Sequence, residues 1–152
     1  MRALAKSVLI RALGSPIKDQ GKNAVARVLN DYYGAFGALD PQRAIAYYDV
    51  PVVFIGAECI IVATTPREGA ARLGKQFEAL KPAGFSRSKL IKLSIKKMSE
   101  GLAIASGIDM RYDKFGKQVS RFGITYILRK NSGGWKISAL VSHDATTALQ
   151  LN

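Results

Sequence analysis

The apolar residues of this chain change period near Lys89, and that change fixes most of what it can fold into. Before it, hydrophobic side chains recur every three or four residues; after it, they alternate. Following the breakers Gly14, Ser15, Pro16 and Gly21, the residues Val25, Val28, Leu29, Tyr32 and Phe36 form one helical stripe, which predicts a first helix over 22–38. Asp40 before Pro41 is an N-cap followed by proline at the first helical position. It starts a short second helix that carries Ile45 and Tyr48 and stops before Pro51. Two short strands, 52–56 and 59–63, turn around Ala57 and Glu58. Thr65-Pro66-Arg67-Glu68 is a capping box, and Ala70, Leu73, Phe77 and Leu80 are the stripe of a third helix that ends near Pro82 and Gly84.

The second half reads as a meander of strands over 89–98, 102–113, 118–130 and 135–143. The segments between them, Ser99-Glu100-Gly101, Lys114-Phe115-Gly116 and Asn131-Ser132-Gly133-Gly134, are turn-formers. Helices that precede a run of strands define an α+β class, here three N-terminal helices packed on one face of a curved, mostly antiparallel sheet.

A length of 152 residues suits one domain, which excludes two-domain cofactor enzymes. We place it at 22–144, between a basic N-terminal extension, 1–21, and a C-terminal tail, 145–152. The opening MRALAKSVLIRAL has a signal-like flavour, but Lys6 and Arg11 interrupt its apolar core. It reads as a basic arm or marginal helix, with Leu4, Val8 and Leu9 spaced to dock on a partner or an anionic surface. No run approaches the roughly 20 apolar residues of a membrane span, so a cytoplasmic location is expected.

Composition removes several chemistries. One cysteine, Cys59, excludes an internal disulfide, and with a single histidine, His143, no Cys/His zinc site can be assembled. Cys59 lies in the apolar run Cys-Ile-Ile-Val-Ala and reads as a buried small hydrophobe. Neither a Gly-rich phosphate loop nor a Gly-x-Ser-x-Gly elbow is present, so no cofactor is expected. The formal charge of +12 favours anionic partners in general. Nucleic acid is disfavoured, because no motif interleaves basic and stacking residues; the lysines fall instead at strand edges and turns.

The element order, together with Thr125-Tyr126-Ile127-Leu128-Arg129-Lys130 and Gly133-Gly134-Trp135-Lys136-Ile137, resembles the last hairpin of the NTF2-like superfamily, particularly its SnoaL-like, polyketide cyclase and ketosteroid isomerase-like domains. The resemblance spans about residues 22–144. It implies a cystatin-like cone whose curved sheet wraps helices around a pocket, a homodimer, and a small apolar or aromatic molecule as partner. A reaction, if catalysed, would be a cofactor-independent isomerase, dehydratase or cyclase step driven by proton transfer. The alternatives are a non-catalytic ligand-binding or interaction module and a basic adaptor for anions or nucleic acid.

Each family chemistry demands particular groups. Ketosteroid isomerases use a helix-one tyrosine as oxyanion donor, and Tyr32 stands at a similar position. Their base carboxylate would fall near Phe54-Ile55-Gly56, which is apolar here, and their second oxyanion acid near Tyr126. Of the Arg-x-Asp of limonene epoxide hydrolases only Asp109 matches, with Gly107 in the arginine's place. Ala139 and Val141 stand where related sequences carry histidines.

Alternation on the last strand puts Trp135, Ile137, Ala139, Val141 and His143 on one apolar face, so His143 is expected at the pocket rim as acid/base. On the strand 102–113 the more apolar set, Ile104, Ile108, Met110 and Tyr112, is expected inward, which turns Asp109 toward solvent beside Arg121. A one-residue slip at the Lys114-Phe115-Gly116 turn would instead align Asp109 with Phe122 and His143. The candidate catalytic set is therefore His143, Asp109 and Tyr32. The candidate ligand-binding set is Tyr33, Phe36, Tyr48, Phe54, Phe77, Phe122, Tyr126 and Trp135, with Tyr47 a further aromatic.

Overall fold

In a computed structural model of the chain, residues 21–152 are described; the basic arm expected over 1–21 lies, save its last residue, outside them. The first helix, α1 (21–37), buries Val25, Leu29, Tyr32, Tyr33 and Phe36, the 3–4 stripe that its spacing predicts. In α2 (Pro41–Ile45), the Asp40 side chain accepts from the amides of Gln42 at 3.0 Å and Arg43 at 3.3 Å, satisfying two of the helix's free N–H groups. This helix ends sooner than expected. The Tyr47 carbonyl accepts the Ile137 amide at 2.8 Å, and Tyr48 opens the strand β1 (Tyr48–Ile55). Sheet pairing with a distant segment outweighs the local helical pattern, and Tyr48 reaches the core from a strand.

After β2 (Ile60–Ala63), Thr65 caps α3 (Pro66–Leu80) by accepting the Glu68 amide at 3.2 Å. The Glu68 carboxylate reaches back one residue beyond the cap, to the Thr64 amide at 2.7 Å and hydroxyl at 2.9 Å. Those bonds hold its carboxyl below the ordinary carboxylate range. Cys59 lies in the β1–β2 turn and is exposed, contrary to the burial expected from its apolar neighbours, because the chain reverses there.

The meander is β3 (Phe85–Ser99), β4 (Leu102–Asp113), β5 (Gln118–Asn131) and β6 (Gly134–His143), followed by a single 3-10 turn, Ala145–Thr147. The six strands form one curved sheet in the order β2-β1-β6-β5-β4-β3, antiparallel throughout except for the parallel β1–β6 pair. The helices pack on its concave face, where Leu29, Leu73, Phe77, Leu128 and Ile137 are fully buried.

One irregularity decides where the site lies. On β6, Ile137 faces Leu128 and Ala139 faces Ile127, so Ser138 has no partner on β5 and forms a bulge. An extra residue reverses the alternation. Trp135 and Ile137 therefore point into the core, while beyond the bulge it is Leu140 and Ser142 that face the concave side. Ala139, Val141 and His143 are carried to the convex face.

The chain returns over that convex face after β6. The Leu149 amide donates to Ser106 Oγ at 2.8 Å, the Leu151 amide donates to Ser94 Oγ at 2.7 Å, and the Ser94 hydroxyl donates to the Leu151 carbonyl at 2.9 Å. The tail so bonds to Ser106, which shares its face of β4 with the buried Ile108, a residue expected to face inward.

Candidate ligand site

Between α1, α3 and the concave face lies a cavity of about 300 Å³, at the lower end of the range for small-molecule pockets. Tyr32, Tyr33 and Phe36 reach it from one face of α1, Tyr48 and Phe54 from β1, and Phe122, Ile124 and Tyr126 from β5. Its rings meet edge to face: the Tyr32 centroid lies 5.3 Å from that of Tyr48 and 5.8 Å from that of Tyr33. Gly56 and the exposed Cys59 stand at its rim.

β4 supplies Asp109 and Arg111, and α3 supplies Arg72. The pairs Asp109 with Phe122 and Gly107 with Ile124 set Ala103, Ala105, Asp109 and Arg111 on the concave side, the reverse of the face expected from apolarity. Asp109 is only 5% exposed. The Tyr33 hydroxyl donates to Asp109 Oδ2 at 3.1 Å, and because its single proton is used there, Tyr33 Oη accepts from Tyr126 at 3.0 Å. The result is a directed chain, Tyr126 to Tyr33 to Asp109. Tyr32 bonds Tyr48 instead, so the contact with the acid falls to Tyr33, one residue along the same helix face. Arg121, the expected surface partner of Asp109, pairs with Met110 on the other side of the sheet.

Arg111 Nε stands 3.8 Å from Asp109 Oδ1, an ion pair without a hydrogen bond, and both atoms are buried with no hydrogen-bond partner among the described residues. Burial pushes the Asp109 carboxyl above the ordinary carboxylate range, opposed by the Arg111 charge and the Tyr33 bond. Burial also drives the hydroxyls of Tyr32, Tyr33, Tyr48 and Tyr126 well above the usual phenol range, so all four remain protonated donors at neutral pH. The arrangement offers one carboxyl able to hold or release a proton and, from the Tyr32–Tyr48 pair, one phenol proton not used within the network, in a largely aromatic cavity. The described residues bring no three His, Cys, Asp or Glu side chains together as a metal site.

Three expected site residues lie elsewhere. Phe77 packs beneath the cavity against Phe36, with ring centroids 4.9 Å apart, and Trp135 is buried before the bulge; neither lines the cavity. Tyr47 is also outside it. His143 is on the opposite face of the sheet, its ring lying across Gly123, where any Cβ would collide with it, and its Nε2 is 2.8 Å from Thr125 Oγ1. The expected rim imidazole is thus displaced by the Ser138 bulge. Gly107, the position tested for an arginine, gives its space to Leu90, whose Cδ1 would be 3.0 Å from an added Cβ.

Arg72 and Arg111 line the cavity although pattern reading did not single them out. A signal existed for both. Gly69, Arg72, Leu73, Gln76 and Phe77 recur at helical spacing, which sets Arg72 and Gln76 beside the buried stripe of α3, and Arg111 shares the period-two face of Asp109.

An open, curved sheet cupping helices around an aromatic, acid-bearing cavity defines a cystatin-like α+β cone. The family model described as NTF2-like protein (DUF6841) matches residues 21–145, and the chain belongs to that NTF2-like family. Solved structures agree on the fold. An NTF2-like protein with a cystatin-like fold from Novosphingobium aromaticivorans is 14% identical with a TM-score of 0.71, covering 95% of this chain and 95% of that one. A ketosteroid isomerase-like protein from Erwinia carotovora atroseptica is 18% identical with a TM-score of 0.56, over 80% of this chain and 93% of that one. A candidate dehydratase of the NTF2-like family from Streptomyces avermitilis is 13% identical with a TM-score of 0.66, over 83% and 96%. No curated protein matches the chain by sequence. Among the described residues no helix is long and apolar enough to cross a membrane.

Proposed function

We propose that this domain binds a small, largely aromatic molecule in the tyrosine-lined cavity and that Asp109 exchanges a proton with it. The observation that carries this reading is the buried Asp109 carboxyl, which lines the cavity with its Oδ2 fixed by Tyr33 and its Oδ1 without a hydrogen-bond partner among the described residues. A carboxyl with a pKa raised by burial is suited to taking a proton from carbon or oxygen at neutral pH. Tyr32 and Tyr48 share a single hydrogen bond, so one of their two hydroxyl protons is free to be offered to an oxyanion. The kinship with ketosteroid isomerase-like and dehydratase-like folds is consistent with cofactor-independent chemistry on a carbonyl or hydroxyl compound.

The probe 1-tetralone, a two-ring aromatic ketone, tests both parts. Binding is read by thermal shift, and catalysis by loss of its α-proton NMR signal in D2O. The expected result is binding together with exchange faster than in buffer, and D109N should abolish exchange while preserving binding. Absence of binding overturns the reading. Binding without exchange supports the second reading, a non-catalytic ligand-binding module, which the apolar Phe54-Ile55-Gly56 segment favours because it lacks the carboxylate that family isomerases carry there.

A further inference from the structure

The charged groups facing the cavity are Arg72, Arg111 and Asp109, two guanidinium groups against one carboxyl. Arg72 has no acid within ion-pair distance among the described residues, and its Nε is buried without a hydrogen-bond partner. Arg111 Nε is buried and unpartnered as well, since Asp109 Oδ1 at 3.8 Å is beyond hydrogen-bond reach. A buried guanidinium N–H with no acceptor is costly, and native proteins complete such groups with a water, an ion or a ligand.

The two side chains are also held in place. Arg111 is sandwiched between Phe36 and Phe122, its guanidinium carbon 5.3 Å and 4.7 Å from the two ring centroids, and Arg72 lies 5.6 Å from the Phe54 centroid. Planar donors fixed against aromatic faces form the pattern that accepts a carboxylate with an apolar body: the acid meets the N–H groups and the body meets the rings.

We infer that the ligand of this cavity is a small aromatic or apolar carboxylate whose anionic end pairs with Arg72 and Arg111. This rests on the reading of the cavity as a small-molecule site and adds the class of molecule. Asp109 lines the same cavity, and burial raises its carboxyl above the ordinary carboxylate range, so a neighbouring anion favours its protonation further. Its second oxygen then becomes a donor to the ligand.

The test compares 2-naphthoate with its neutral isostere 2-naphthamide by isothermal titration at low ionic strength. Naphthoate is expected to bind at least tenfold more tightly, with affinity falling as salt rises. R72Q is expected to remove that preference by weakening naphthoate about tenfold and naphthamide far less. R72K should fall between, because lysine keeps the charge without the planar fork. The wild-type comparison does not depend on how any variant folds. Equal affinity for acid and amide overturns the carboxylate inference and leaves the small-molecule reading standing. Failure of both probes, and of 1-tetralone, overturns the two together.

Discussion

The two faces of this sheet each carry a buried polar cluster, and the clusters differ in how completely their hydrogen bonds are used. On the convex face every group has a partner. The Leu149 amide donates to Ser106, the Ser106 hydroxyl to Thr125 at 2.9 Å, and the Thr125 hydroxyl to His143 Nε2. His143 Nδ1 lies 3.0 Å from the Asp144 carbonyl, which can only accept, so the imidazole proton is assigned to Nδ1. The chain closes on itself. On the concave face the line from Tyr126 through Tyr33 ends at Asp109, and four buried atoms, Asp109 Oδ1, Ser88 Oγ, Arg111 Nε and Arg72 Nε, have no partner among the described residues. A closed network stabilises a fold, whereas an open one in a cavity is prepared for a ligand.

The largest expected effect comes from removing what separates the two faces. Deleting Ser138 takes out the β6 bulge, turns Leu140 and Ser142 outward and drives Ala139, Val141 and His143 into the cavity. We expect loss of cooperative folding, read as the disappearance of a sharp thermal transition in circular dichroism. A deletion variant that melts like the parent would show that register at Ser138 does not divide the clusters.

A smaller effect should follow from Thr125→Val, which breaks the closed chain at its centre. Ser106, fully buried, loses its acceptor and the half-buried His143 Nε2 its donor, and leaving a buried group unpaired costs about 1–3 kcal/mol. Urea denaturation should show that loss, with binding of 1-tetralone unchanged. Weakened binding would mean that the convex cluster supports the cavity directly.

The same contrast explains what could be read from the residues in advance. The helical stripe of α1, the Asp40-Pro41 and Thr65 caps and the four long strands follow from local spacing and capping chemistry, and they stand where spacing puts them. Strand faces were a different matter. Apolarity points Ile108 rather than Asp109 inward on β4, but Ile108 is buried on the outer face, where the returning tail bonds the neighbouring Ser106, and such long-range cover has no signature in strand alternation. His143 departs from its expected rim position for a related reason. A bulge at Ser138 depends on pairing with β5 and β1, and serine at that position is an ordinary strand residue. Aromatic lining was legible at Tyr32, Tyr33, Phe36, Tyr48, Phe54, Phe122 and Tyr126, since all but Tyr48 sit on the expected type of element.

The smallest effect concerns the open cluster and has a sign that distinguishes it from ordinary surface acids. The folded state raises the Asp109 pKa above its unfolded value, chiefly through burial, so in the interval between the two values the native protein binds more protons than the unfolded chain. Its contribution is most favourable below the ordinary carboxylate range and declines as pH rises through the folded value. Glu68 acts oppositely: its pKa is lowered by the Thr64 bonds, so its contribution is present at neutral pH and is lost on acidification. Asp109→Asn should therefore gain stability relative to the parent as pH rises from acid, with the two curves converging at low pH. Glu68→Gln should lose stability relative to the parent over the same rise. Denaturant midpoints measured across that range decide the matter: if Asp109→Asn instead loses ground as pH rises, Asp109 is stabilised as an ion by Arg111, and the concave cluster is a closed pair like its convex counterpart.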